Sequence, residues 1–288
     1  MNCAETRAPT GHAGSGWEGA AGGAPQVLGP MGLGDDDVHV WCMADSEPLD
    51  DPNQERLRRT LAPEECEREA RFRFPRDRQT FLLTRALVRQ VLSAYTRIAP
   101  QDLRLQANAH GKPEMAVTQA DAGRINFNVS HTEGLITLAV MRRGVIGIDT
   151  EKVRARSASL EIAQRFFAPS EVTSLGQVAA DALPRRFFRY WTLKESYVKA
   201  RGVGLSVPLD EFAFELDQAR IAISLHAAQD DRASAWKFWQ LAVGEQHVVA
   251  ICAERLPGVH PRLQVRSVDA KWRCGGTETV QLGESFDG

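Results

Sequence analysis

Apolar positions change their spacing repeatedly along the chain, and the changes mark out its elements. Val38–Met43 reads as a strand. From Pro63 to about Arg73 the pattern is that of a charged helix, with Pro63 suited to a first turn. Arg78–Tyr95 reads as a long helix. Its apolar residues, Phe81, Leu82, Leu83, Ala86, Leu87, Val88, Val91 and Leu92, surround the axis, which predicts burial on most sides. Arg85 and Arg89 lie one turn apart on one face of it. A short strand is expected at Leu103–Gln106. Ile125–Val129 alternates, Leu135–Val140 is rich in β-formers, Arg142-Arg143-Gly144 suits a turn, and Val145–Ile148 resumes as a strand, together a hairpin signal. Helices follow at Ser159–Phe167, after Pro169, and from about Pro184 to Arg201. Phe212–Leu216, Ile221–Leu225, Trp236–Leu241 and His247–Cys252 read as strands. Strands and helices come in mixed runs without strict alternation, which favours an α+β fold.

The ends differ from this middle. Nine of the 23 glycines precede Asp35, with no apolar run of secretory type, so residues 1–36 are expected to be a disordered extension. Residues 269–288 are polar and are expected to be a flexible tail. The full 288 residues suit about two domains, and 43% apolar against 25% charged residues supports a sizeable core. A net charge of -2 gives no sign of a nucleic-acid partner. No apolar run approaches the ~20 residues that span a bilayer, so no membrane partner is expected. Cys3, Cys42, Cys66, Cys252 and Cys274 are scattered without C-x-x-C spacing. That argues against a disulfide scaffold or zinc site and for a reducing, cytoplasmic setting.

Chemistry concentrates in two places. In Gly147-Ile148-Asp149-Thr150-Glu151, strand alternation puts Asp149 and Glu151 on one face and Ile146 and Ile148 on the other, core-facing one. Two carboxylates so placed repel unless a cation lies between them, and a hard divalent ion such as Mg²⁺ satisfies both. In the helix around Trp191–Lys199, Glu195 falls inside the stripe formed by Phe187, Phe188, Trp191 and Val198, flanked by Lys194 and Lys199. A glutamate on a buried stripe needs a cation, either a lysine or a metal. Gly202 suits the left-handed position past a helix end. Ser130 and His131, at the end of a strand, can donate to phosphate oxygens. Lys112 sits in a Gly-Lys-Pro turn. No G-x-x-x-x-G-K-[ST] loop or kinase motif set is present.

The ordered series Gly-Lys-Pro (111–113), Asn-x-Ser-His (128–131), Gly-x-Asp-x-Glu (147–151), Phe-Phe-x-x-x-Glu (166–171) and Trp-x-x-Lys-Glu-Ser-x-x-Lys-x-x-Gly-x-Gly-Leu (191–205) resembles the Sfp-type 4'-phosphopantetheinyl transferases. The resemblance runs from about Val38 to the strands near Cys252. It implies two similar α+β halves about a pseudo-twofold axis, residues 37–145 and 146–268, with coenzyme A bound between them. It also implies transfer of the phosphopantetheine arm of coenzyme A to a serine of an apo carrier protein of acyl, peptidyl or polyketide type, releasing adenosine 3',5'-bisphosphate. Asp149, Glu151 and Glu195 would hold Mg²⁺, and Glu151 or Glu195 would take the serine proton. Lys199 would stabilise or protonate the leaving group. Lys112, Ser130, His131 and Lys194 would contact phosphates, His131 the 3'-phosphate. Glu171 occupies the acidic position after the double Phe. Glu65 stands where a lysine is expected in the nucleotide clamp, which leaves Arg68 and Arg71, with Arg76 and Arg85 as compensating candidates. Arg85 is favoured, because a buried helix does not carry an arginine without an anionic partner. The loop 154–183, with Arg154, Arg156 and Arg165, is the expected surface for an acidic carrier, and paired halves in one chain imply a monomer.

Overall fold

The computed structural model describes residues 28–122, 125–204, 207–217, 219–225, 232–272 and 279–285. The first half opens with β1 (Asp37–Asp45) and three helices, α1 (Asp51–Arg58), α2 (Pro63–Ala70) and α3 (Pro75–Thr96). A small ladder of β2 (Leu105–Ala107) and β3 (Pro113–Met115) follows, then β4 (Asn126–Thr132) and β5 (Gly134–Met141). The second half repeats the plan with β6 (Ile146–Lys152), then α4 (Leu160–Phe166), α5 (Pro169–Gly176) and α6 (Leu183–Arg201), then β7 (Phe212–Asp217), β8 (Arg220–Leu225), β9 (Trp236–Val243) and β10 (His247–Glu254). Two strands close the chain, β11 (Arg262–Val268) and β12 (Thr279–Glu284).

The repetition is visible in the sheets. In one, β1, β5 and β4 lie side by side and antiparallel; in the other, β6, β10 and β9 do the same. Each trio carries one long helix on its outer face. Trp41 and Met43 of β1 and Ile136, Leu138 and Val140 of β5 pack with Leu83, Leu87 and Val91 of α3. Phe238 of β9 and Ala250 and Cys252 of β10 pack with Leu193, Tyr197 and Ala200 of α6. The inner faces meet in a third core, where Val38, Val40 and Ala139 face Ile148, Trp239, Leu241 and Ile251. Strand alternation thus buries both faces of each trio, and the halves share a core. Among the described residues no helix is long and apolar enough to cross a membrane.

Three expectations are corrected. The hairpin through Arg142-Arg143-Gly144 does not form. Gly144 turns the chain at φ +83°, but β5 pairs with β1 and β4 while β6 pairs with β10 in the other sheet. Residues 28–36 are not a loose extension: Leu28 and Leu33 are buried in the first core, and the Met31 amide donates to the Ala94 carbonyl at 2.8 Å. The rest of that segment lies outside the described residues. The polar tail is also not simply flexible, since β12 inserts between β9 and β8. There Glu284 pairs with Lys237 at 2.6 Å, and the Ser285 hydroxyl accepts from the Phe238 amide at 2.9 Å. β12 reads Thr-Val-Gln-Leu-Gly-Glu, with Val280 exposed and Gly283 buried, so its burial follows no apolar alternation.

Candidate active site

The site forms where β6, α6 and β4 converge. Gly147 governs the approach. A Cβ there would lie 2.0 Å from the Ser196 carbonyl oxygen and 2.4 Å from the Ala200 nitrogen, so α6 rests directly on the β6 backbone. This contact brings Lys199 over Asp149. Its ammonium lies 2.5 Å from Asp149 Oδ1 and 3.2 Å from Ser130 Oγ, and Ser130 Oγ donates to the same carboxylate oxygen at 3.2 Å. Asp149 Oδ2 is buried without a hydrogen-bond partner. Asp149 and Glu151 share the face of β6 turned to α6, as alternation requires, and Ile146 and Ile148 face the inter-sheet core.

Glu151 and Glu195 are half-buried. Burial, reinforced by the charge of Asp149, pushes Glu151 up to about 7 against the pull of Lys199 and Arg154. Burial and then Asp149 also raise Glu195, with Lys199 opposing. Among the described residues no three acidic, histidine or cysteine side chains stand as a ready-made metal cluster. The donor chemistry still fits a hard divalent cation. The charge of Asp149 raises the pKa of both Glu151 and Glu195, and one buried oxygen is unsatisfied, a combination that oxygen-seeking Mg²⁺ relieves.

Two cavities flank the Lys112-Pro113 and Asn128–His131 segments. One of about 270 Å³ is bordered by Lys112, Asn128, Glu195, Lys199, Gly202 and Gly204. Gly202 closes α6 in the left-handed conformation, φ +65°, as expected. Leu205, the last residue of the long motif, lies outside the described residues. The second cavity, of about 670 Å³, brings together Arg68, Arg76, Arg85, Phe81, His131 and Glu133. The guanidinium groups of Arg68 and Arg85 each lie 5.5 Å from the Phe81 ring centre. Burial and Lys199 lower the pKa of His131, with Asp45 opposing, which favours a neutral ring at the cavity wall.

Other site expectations change. Lys194, expected at the phosphates, lines neither cavity. It is fully buried, pairs with Glu171 at 2.8 Å, and donates to the carbonyls of Leu209 and Phe212 at 2.6 Å each. Five residues of helix turn it away from Lys199 by about 140°. Glu171 also accepts from the amides of Ala168 and Phe214, so every polar group of this pair is engaged. The Lys112 ammonium braces the end of α6, donating to the carbonyls of Ile146 at 3.0 Å and Lys199 at 2.9 Å rather than standing free for phosphate. Arg85 has an internal anionic partner. Glu65 lies 3.8 Å from it and 2.5 Å from buried Arg89. A buried arginine therefore does not by itself signal a ligand here, although Arg85 does line the larger cavity. Arg154 is engaged by Glu133 at 2.6 Å, whereas Arg156 and Arg165 are exposed beside the exposed apolar residues Leu160 and Phe166. Sequence reasoning missed the approach at Gly147, legible only as an unexplained glycine in a strand, and the place of His110 beside the smaller cavity.

The two α+β halves thus bring a lysine and carboxylates together where they meet. A model of the 4'-phosphopantetheinyl transferase superfamily matches residues 145–252, and a model of the 4'-phosphopantetheinyl transferase N-terminal region matches residues 50–143. The division between the two falls where β5 hands over to β6. The chain is 33% identical over 219 residues to the 4'-phosphopantetheinyl transferase HetI of Nostoc sp., covering 75% of this chain and 87% of that protein. It is 33% identical over 189 residues to the transferase Sfp of Bacillus subtilis, covering 65% and 81%. The L-aminoadipate-semialdehyde dehydrogenase-phosphopantetheinyl transferase of Homo sapiens is 29% identical over 213 residues, covering 69% of each chain. The chain belongs to the 4'-phosphopantetheinyl transferase family, enzymes that take coenzyme A as substrate and act with apo carrier proteins.

Proposed function

We propose that this enzyme moves the 4'-phosphopantetheine arm of coenzyme A onto a serine of an apo carrier protein, with Mg²⁺ as cofactor and adenosine 3',5'-bisphosphate as the second product. The observation that carries the reading is the adjacency of two unlike regions. A cavity lined by three arginines, Arg68, Arg76 and Arg85, with His131 and the acidic Asp77 and Glu133, borders a centre where Lys199 meets Asp149, Glu151 and Glu195. The first suits the phosphates of a nucleotide, and the second suits phosphoryl transfer.

Asp149, Glu151 and Glu195 are the residues that would hold Mg²⁺, which when bound neutralises pyrophosphate charge as a Lewis acid. The serine oxygen forms a new bond to phosphorus, and the bridging bond to the departing bisphosphate breaks. The serine proton passes to a carboxylate. Glu151 and Glu195 are the two candidates for that role, each a carboxylate at the centre beside Lys199. Lys199, the nearest cation, would offset the charge that develops on the leaving group. Ser130 holds Asp149 and Lys199 together. A carrier with an acidic surface would dock along α4, where Phe166 and Leu160 offer apolar contact and Arg165 and Arg156 offer charge. The enzyme would act as a cytoplasmic monomer.

Intact-protein mass spectrometry tests the reading. Incubation with coenzyme A, Mg²⁺ and apo carriers of acyl, peptidyl and polyketide type should add about 340 Da to at least one carrier, the mass of the transferred arm in a metal-dependent reaction. Glu195→Gln should lower the rate by about 100-fold or more. Absence of any coenzyme A binding would overturn the proposal.

A further inference from the structure

We propose that Asn128 is a positioning residue for the transfer reaction: its side-chain amide splices the edge of the first sheet to the edge of the second and so fixes Asp149 beside Ser130 and Lys199. The inference rests on the functional reading above only for its kinetic consequence.

β4 and β6 are edge strands of different sheets. They run close together, yet no backbone ladder joins them. A buried edge strand leaves main-chain N–H groups that need partners. For Ile148 that partner is Asn128 Oδ1, at 2.8 Å. A backbone N–H can only donate, so the atom facing it must be the amide oxygen, which settles the orientation of the side chain. Both residues are buried, Asn128 at 4% exposure and Ile148 at 0%. The next residues of β6 are held in the same manner. Asp149 Oδ1 accepts from Ser130 Oγ, two positions along the same face of β4, and Thr150 is hydrogen-bonded to Thr137 of β5.

Three successive residues of β6 thus meet side chains from the first sheet in place of a ladder. A side chain reaches farther than a carbonyl. A backbone ladder at this edge would fuse the two sheets into one, whereas side-chain bonds let them splay around the shared core. Of the three contacts, that of Asn128 alone grips the β6 main chain. It therefore sets where Asp149 begins, independently of the charge Asp149 carries. Asn128 also borders the smaller cavity with Glu195 and Lys199, so any shift of the splice is a shift of that cavity.

The test compares wild type with Asn128→Leu, which keeps the volume but has no acceptor, and Asn128→Asp, which keeps an oxygen toward Ile148. Amide hydrogen exchange reads the splice, and steady-state transfer reads its consequence. Asn128→Leu should speed exchange at Ile148 by roughly 5- to 150-fold, since a buried donor loses its partner. It should lower kcat by ~100-fold with KM for coenzyme A changed less than about threefold, the pattern of a misplaced group rather than a lost binding contact. Asn128→Asp should retain protection at Ile148 and recover part of kcat. Unchanged exchange in Asn128→Leu, equal kcat loss in both variants, or a lowered melting temperature with kcat intact would each overturn the proposal. A wild type that binds coenzyme A but transfers nothing would overturn the functional reading instead, and the exchange result would still decide the splice.

Discussion

Lys194 and Lys199 sit on one helix and differ in everything that matters to chemistry. Lys199 is half-buried at the cleft beside Asp149, while Lys194 is sealed against Glu171 and two carbonyls, its ammonium 4.4 Å from the Phe212 ring centre. Breaking a buried pair strands a charge, so Glu171→Gln should destabilise the protein by about 3–5 kcal/mol. Urea denaturation would measure the loss. Transfer per folded molecule should stay within about threefold of wild type, because the pair touches neither cavity. A second residue-level expectation concerns pH. His39 is 2% exposed; Nδ1 is hydrogen-bonded to Tyr95 Oη at 2.6 Å, and Nε2 makes no hydrogen bond but lies 4.0 Å from Asp37 Oδ2. Burial, with Arg266, lowers its pKa below 6.5, and Asp37 only partly opposes. The folded state therefore resists protonation that the unfolded chain accepts. The contribution is fully present above pH 6.5 and is lost as pH falls through the lower folded value. At pH 5.5 the loss attributable to this ring is at most about 1.4 kcal/mol. The shift in denaturation midpoint between pH 8 and 5.5 should shrink in His39→Gln.

At the scale of elements, the decisive contact is that of α6 with β6. Gly147 leaves no room for a methyl group. Gly147→Ala must push the helix off the strand and separate Lys199 from Asp149. The expected outcome is a fall in kcat of about 100-fold. Coenzyme A affinity by calorimetry should change far less, since Arg68, Arg85 and His131 lie in the cavity that the first half builds. An unchanged kcat would show that this close approach does not set the site. The absence of the expected hairpin at Arg142-Arg143-Gly144 has its reason at this scale too. Val145–Ile148 has the composition of a strand wherever it pairs, and local pattern carries no record of which sheet receives it.

The whole molecule is held by what crosses between halves. The inter-sheet core draws on β1, β5, β6, β9 and β10, and the C-terminal strands divide themselves, β11 pairing in parallel with β1 and β12 joining β9 to β8. Removing residues 279–288 should lower the melting temperature by about 10 °C or more, several kcal/mol at this chain length, because Lys237 loses Glu284 and β9 loses a neighbour. A melting temperature unchanged on truncation would mean that β12 contributes nothing.

Much of this was legible in the chain. Period located the long helices, although the first begins at Pro75, three residues before the expected Arg78, and Gly202 ends the second as expected. Alternation put Asp149 and Glu151 on one face, because the geometry of a strand is local. The ordered motifs pointed to the family that the comparisons establish. Partnership was not legible. That Glu65 serves Arg85 and Arg89, that Glu171 serves Lys194, and that Asn128 reaches across to Ile148 depends on residues 20 to 24 positions apart meeting in space. Sequence alone determines which residues share a face and which segments are apolar enough to be buried, since these follow from backbone periods of 2 and 3.6 residues. Tertiary structure decides which charge answers which, because attraction and desolvation depend on distances that only the packed chain sets.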